Sequence, residues 1–150
     1  MLDKTIYNKL TDYCAYQERC SRDVTLKLQK LKAPKSDFEQ YVAKLKDDNF
    51  LNEERYVKYF VSGHVKKKWG KTKIRTALLG KRIDSAIIKK YLDDMDDENY
   101  EEQIKATAEK KWITIKAESE KVRKTKLLRF LLSKGYEMGK ALEAMKQLKI

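Results

Sequence analysis

Cysteine, histidine, proline and glycine are all scarce in this sequence, with two, one, one and five residues among 150. Each shortage excludes something. One His and two Cys cannot furnish the four N or S ligands of a tetrahedral zinc site. Cys14 and Cys20 stand six residues apart, which in a helical pattern separates them by about 9 Å along the axis and about 240° around it. Both are therefore expected to be free thiols used for packing in a reducing compartment. Gly63, Gly70 and Gly80 are isolated, and Gly70-Lys71-Thr72 lacks the upstream glycine of a phosphate loop. So few turn formers also argue against a many-stranded sheet protein or a disordered tail. No apolar run approaches the roughly 18 residues that span a bilayer. Met1-Leu2-Asp3-Lys4-Thr5 has no apolar leader character, so a cytoplasmic chain without a membrane partner is expected. No Ser has a base in a recognisable context and neither Cys has a His partner, so no catalytic residue, metal or cofactor is expected.

Acid is also missing, but only locally. Lys plus Arg number 35 against 23 Asp plus Glu, a net charge of +12. Between Glu54 and Asp84 no acid occurs, while Arg55, Lys58, Lys66, Lys67, Lys68, Lys71, Lys73, Arg75, Lys81 and Arg82 are all basic. Lys121, Arg123, Lys124, Lys126, Arg129 and Lys134 form a second acid-free run. The acids concentrate instead at Asp93, Asp94, Asp96, Asp97, Glu98, Glu101 and Glu102. Consecutive acids diverge around a helix end and no calcium-loop glycine accompanies them, so a solvated hinge and helix start is the reading. Any single Lys is ordinarily part of a solvated face. A block of ten like charges repels itself, and a partner that opposes it is expected.

What the sequence does have is a repeat. Val24, Leu28, Ala33 and Leu45 match Ile74, Leu78, Ile83 and Leu92, which match Leu127, Leu131, Tyr136 and Met145. The apolar spacing within each set is helical. The repeats run 1–50, 51–96 and 97–150, each with three helices, predicted at 3–17, 21–32, 36–47, 52–67, 71–80, 84–94, 98–116, 119–133 and 138–148. The first helix of each carries aromatic or apolar residues at helical spacing, Tyr13 and Tyr16, then Tyr56 and Phe60, then Ile104, Ala108 and Trp112, of which Tyr56, Phe60 and Trp112 are core candidates. Ser21, a capping box at Ser36-Asp37-Phe38-Glu39, Asn52, Asp84 and Asp97 mark helix starts, and Gly80 and Gly135 mark ends. The fold class is all-α, three tandem three-helix repeats stacked as an elongated, curved, solenoid-like chain.

Two segments carry a family likeness: Leu45-Lys46-Asp47-Asp48-Asn49-Phe50-Leu51-Asn52-Glu53-Glu54-Arg55-Tyr56-Val57, and Trp69-Gly70-Lys71-Thr72-Lys73-Ile74-Arg75 with Leu78 and Lys81. They resemble the RecX family, bacterial regulators of the RecA recombinase. The third repeat keeps the family's Lys134-Gly135-Tyr136, whereas Leu31-Lys32-Ala33-Pro34 replaces the usual Lys-Gly in the first, so that turn should be built differently. The resemblance implies a non-enzymatic regulator that binds in the groove of RecA–DNA filaments, limiting strand exchange and co-protease activity in recombination, DNA repair and the SOS response. The candidate contacts to RecA or DNA are Arg55, Lys67, Lys68, Trp69, Lys71, Lys73, Arg75, Lys81, Arg82, Lys124 and Arg129. On the fifth helix Lys71, Arg75 and Arg82 fall on one face and Ile74 and Leu78 on another. Trp69, set among lysines, has the chemistry to stack on a base, although an aromatic beside a helix start is more often a packing anchor. His64 lacks relay partners and reads as a boundary residue. The expected partner is the RecA filament, with DNA touched through basic faces, and the chain is expected to act as a monomer. The alternative is a helical DNA-binding module acting without RecA, although the fifth helix has no Asn or Gln suited to reading adenine. An inert helical scaffold with a basic surface is the third reading.

Overall fold

The computed structural model describes residues 2–150. Every regular element among them is helical: α1 Lys4–Tyr16, α2 Ser21–Lys30, a 3-10 turn Lys35–Asp37 leading into α3 Phe38–Asp47, α4 Glu53–Lys66, α5 Lys71–Gly80, α6 Ser85–Asp93, α7 Asp97–Thr114, α8 Glu120–Ser133 and α9 Met138–Gln147. Each begins and ends within two residues of the range that its sequence period predicts.

The starts follow from short polar side chains that accept otherwise unpaired amides. Asp3 Oδ1 accepts from Thr5 N at 2.7 Å and Ile6 N at 3.1 Å. Asn52 Oδ1 accepts from Arg55 N at 2.8 Å, and Ser119 Oγ from Val122 N at 3.2 Å. Three expectations need correction. Ser21 is the first residue of α2 and not its cap; its N and Oγ both donate to Glu53 Oε1 at 2.9 Å. Ser36-Asp37-Phe38-Glu39 forms no capping box, because the 3-10 turn occupies it. Asp96, not Asp97, caps α7 through Glu98 N at 3.0 Å.

The ends share one device. Lys32, Arg82 and Gly135 take left-handed φ values of 58, 61 and 92°, spaced as the repeats are. After each, the next amide donates back five residues: Ala33 N to Leu28 O at 3.1 Å, Ile83 N to Leu78 O at 3.3 Å and Tyr136 N to Leu131 O at 3.2 Å. The pattern is a Schellman ending, which also sets an apolar residue beyond the turn against one in the last helical turn. Those residues are the second and third members of each repeated quartet. The first repeat therefore does not need a different turn: Lys32 accepts the strained conformation that Gly135 adopts freely. Arg82 correspondingly lies past α5, so it does not share a helical face with Lys71 and Arg75.

The helices condense into two compact units, Met1–Phe60 with Leu78–Ile88, and Val61–Ala77 with Lys89–Ile150. The first is built on buried Leu10, Cys14, Val24, Leu28, Tyr41, Leu45 and Leu51. The second is built on Tyr100, Ile104, Ala108, Leu127, Leu131, Tyr136, Ala141 and Ala144. Each fully buried aliphatic side chain contributes about 1.5–3 kcal/mol through water exclusion. Of the predicted core aromatics Tyr56 is buried, whereas Phe60 and Trp112 are half-buried. Tyr16, the last residue of α1, is 83% exposed while Leu10 and Cys14 fill that helix's buried face. In α9 Ala144 is buried, with Met145 half-buried beside it. Cys14 and Cys20 are buried free thiols. They do not share a helix, since α1 ends at Tyr16 and Cys20 immediately precedes α2.

Candidate functional site

The basic turn between α4 and α5, residues 67–70, is fixed by its own backbone and by elements of the third repeat, all within the second compact unit. Lys68 adopts φ 68° so that Trp69 N can donate to His64 O at 3.0 Å, closing α4. Gly70 N then donates to Lys134 O at 2.7 Å and Thr72 N to Gly135 O at 3.0 Å. A Cβ on Gly70 would lie 2.2 Å from the Gly135 carbonyl carbon, so the two backbones meet where only glycine fits. Tyr136 OH donates to Lys68 O at 2.7 Å and accepts from Gln103 Nε2 at 3.1 Å. Lys134 Nζ reaches Lys67 O at 3.4 Å. At the head of α5, Lys71 N donates to Tyr100 OH at 2.9 Å, which donates to Glu137 Oε1 at 2.5 Å. Burial and the Glu137 carboxylate hold the Tyr100 hydroxyl well above the usual phenol range, so it stays a donor. The result is a fixed backbone carrying exposed cations at Lys66, Lys67, Lys68 and Arg75. Such preorganisation lowers the ordering cost of binding an anionic surface.

The other candidates divide by what they touch. Lys71 is largely withdrawn from solvent: its side chain is 13% exposed, its Nζ 3.5 Å from Asp97 Oδ1 and 4.8 Å from the Tyr100 ring centroid. Trp69 is half-buried, its ring 4.3 Å from that of His64, with Lys73 Nζ 4.2 Å from its centroid. Its packing role is thus realised within the chain, and His64 is the boundary residue that the sequence suggests. In the first unit, Arg55 Nε donates to Glu18 Oε2 at 2.6 Å, and its guanidinium also reaches Asn49 O at 3.2 Å. Lys81 Nζ donates to Asp23 Oδ1 at 2.7 Å, a bond that raises the lysine pKa. Arg82 is exposed, as is Arg129, while Lys124 is half-buried. The acid-free run in sequence is therefore not free of acid in space: Glu18, Asp23 and Asp97 are supplied from other elements.

The second basic run is partly structural too. Arg123 Nη2 donates to Trp112 O at 2.6 Å with its guanidinium carbon 3.8 Å over the indole, and Lys126 Nζ donates to Lys116 O at 3.1 Å. Arg123 thus adds a second donor to a carbonyl that also accepts from Ile115 N at 3.2 Å, at the C-terminal end of α7 where the helix dipole favours a cation, and Lys126 ties down the chain just beyond it. Reasoning from sequence missed Tyr100, Gln103 and Tyr136 as the frame of the basic turn. The available signal was the pair Gly70 and Gly135, neither needed for a glycine-rich loop. Among the described residues no group of His, Cys, Asp and Glu converges as metal ligands, and no helix is long and apolar enough to cross a membrane.

This frame joins the segments that comparison with known proteins picks out. The model of the second three-helix domain of RecX matches residues 52–92, and that of the third three-helix domain matches 98–145. The chain belongs to the RecX family. A protein named regulatory protein RecX from Clostridium perfringens is 38% identical over 95 residues, covering 62% of this chain and 44% of the relative. One from Clostridium acetobutylicum is 28% identical over 134 residues, covering 87% and 62%. The chain thus spans about half the length of these curated relatives. The crystal structure of RecX from Lactobacillus salivarius superposes with a TM-score of 0.84 at 25% identity, over 97% of this chain and 95% of that one. A second crystal structure of a regulatory protein RecX gives a TM-score of 0.86 at 24% identity, over 95% and 70%, a likeness of fold.

Proposed function

We propose that the chain is a regulator of the RecA recombinase that catalyses no reaction and acts by binding in the groove of the RecA–DNA filament. There it limits strand exchange and co-protease activity. The observation that carries this reading is the clamped α4–α5 turn in a member of the RecX family: exposed lysines and Arg75 stand on a backbone that other elements hold still. A polyanionic surface presented repeatedly, as in a nucleoprotein filament, is the natural complement. The surface divides by function. In the second unit Lys67, Lys68, Arg75 and Arg129 are the primary contacts, with Lys71, Lys73 and Trp69 setting the geometry behind them and Lys124 flanking; in the first unit Arg82 is a contact, while Arg55 and Lys81 are held by Glu18 and Asp23. The segments 1–50, 51–96 and 97–150 act as the functional repeats, and the protein works as a monomer in the cytoplasm.

The test is capture of purified RecA by the immobilised chain in the presence of DNA and a slowly hydrolysed nucleotide, against capture of DNA alone. The proposal expects the assembled filament to be retained at salt concentrations that strip off bare DNA. Equal retention of DNA with and without RecA would instead favour the DNA-binding module.

A further inference from the structure

A groove of about 390 Å³ opens in the second compact unit between the α4–α5 turn, the C-terminal half of α7 and the end of α8. Its volume falls within the range of small-ligand pockets, roughly 300–1,000 Å³. Lys68, Lys110, Lys111 and Lys134 line it, and no carboxylate does. Its floor is apolar, carried by Phe130, over whose ring Lys111 Nζ stands 4.6 Å from the centroid. Ala106 and two hydroxyls complete the lining, and both hydroxyls have spent their proton: Thr107 Oγ1 donates to Gln103 O and Thr114 Oγ1 to Lys111 O, each at 2.8 Å. What remains on each is acceptor capacity.

The groove thus offers donors and positive charge at its rim, an aromatic ring beneath that a flat ligand reaches by displacing the Lys111 ammonium from it, and only acceptors from its hydroxyls. A complementary ligand must bring anionic oxygens, a flat apolar face and N–H donors together. A carboxylate side chain brings the first and lacks the other two. A nucleotide brings all three, and a base inside a duplex has its faces and pairing edge already covered. We propose that this groove binds single-stranded nucleic acid, with one unpaired base against Phe130 and the adjoining phosphates on the four lysines. The site shares Lys68 with the filament-binding turn but is centred on Lys110, Lys111 and Phe130 and is tested without RecA, so its failure is distinguishable from that of the filament reading.

The experiment is fluorescence anisotropy with a labelled 20-nucleotide single-stranded DNA, the same sequence as duplex, and a polyglutamate peptide as competitor, without RecA. The parent should prefer the single strand to the duplex and should resist the peptide. Reversal of the two α7 lysines, Lys110→Glu with Lys111→Glu, should weaken single-strand binding about tenfold or more, and the slope of log affinity against log salt should fall by about 0.7 for each phosphate no longer neutralised. The neutral pair Lys110→Gln and Lys111→Gln should fall between, and serves if the reversed pair melts early. Phe130→Leu, with the lysines intact, should reduce the preference for single strand over duplex while leaving the salt slope in place. Unchanged affinity in both lysine pairs would overturn the proposal. So would equal affinity for duplex, or displacement of DNA by polyglutamate at matching charge concentration, which would assign the groove to an acidic peptide.

Discussion

Substituting Gly135 by Ala probes the contact on which the basic turn depends. At Gly135 the backbone has φ +92°, and an added Cβ would lie 2.2 Å from Lys73 Cβ and 2.6 Å from Lys73 N. Two costs combine. A left-handed conformation costs an L-residue about 1–2 kcal/mol, and overpacking a site that cannot open freely costs about 1–3 kcal/mol. The expected loss is about 2–5 kcal/mol, and the neighbour that must yield is the first turn of α5. Gly70→Ala should lose at least as much, because its Cβ would meet three atoms of the 135–136 backbone at 2.2–2.3 Å. Gly63→Ala is the control: nothing lies within 4 Å of its added Cβ, and it sits inside α4. There the smaller entropy loss of Ala should stabilise by about 0.5–1 kcal/mol. Urea titrations of the three variants, followed by circular dichroism, read these values as midpoint shifts at constant slope. A Gly135→Ala midpoint within half a kcal/mol of the parent, or a Gly63→Ala loss larger than that of Gly135→Ala, would refute the backbone-on-backbone clamp.

Leu28→Ala, Leu78→Ala and Leu131→Ala should each destabilise by about 2–5 kcal/mol, because each residue is fully buried at the same place in its repeat; denaturation midpoints unmoved at all three would break the repeat alignment. Burial pushes the Cys20 thiol up to about 11 from 9.0, and it also raises the Tyr56 and Tyr100 hydroxyls. A raised native pKa gives stability that is complete below the unfolded value and disappears as pH climbs through the native one. The urea midpoint should therefore hold to about pH 9 and fall towards about pH 11, with Cys20→Ala flattening that first decline; a midpoint constant through pH 11 would contradict it. The same burial predicts that a thiol reagent labels Cys14 and Cys20 only after denaturant is added, and prompt native labelling of both would be the contrary result.

The fold was legible because its signals are local. Helix periods, Asx caps and the Leu28–Ala33 spacing of the helix endings all act within a few residues, and the structure reproduces them almost position for position. The misreadings were also local in origin. Ser36 has capping chemistry, but Pro34 directs a 3-10 turn there. Lys32 takes a conformation that composition alone assigns to glycine. The site was less legible, since a charge says nothing about its neutralising partner. Arg55 finds Glu18 across 37 positions and Lys81 finds Asp23 across 58, so three cations of the acid-free run, with Lys71, prove to be paired within the chain. Lys110 and Lys111 are hidden for the opposite reason: Glu109 precedes them, so no run of like charge announces them.

The central claim is that exposed cations on the clamped α4–α5 turn and α5 engage the RecA–DNA filament. Its most direct test is the double variant Lys67→Glu with Arg75→Glu, both residues exposed and outside the hydrophobic core, assayed for inhibition of RecA-driven strand exchange beside the parent. The account predicts a loss of inhibition of about tenfold or more from removing and reversing two surface charges, with helicity and melting temperature nearly unchanged. The matching third-repeat pair Lys121→Glu with Arg129→Glu should cost less. A folded Lys67→Glu, Arg75→Glu variant that inhibits strand exchange as well as the parent would contradict the account.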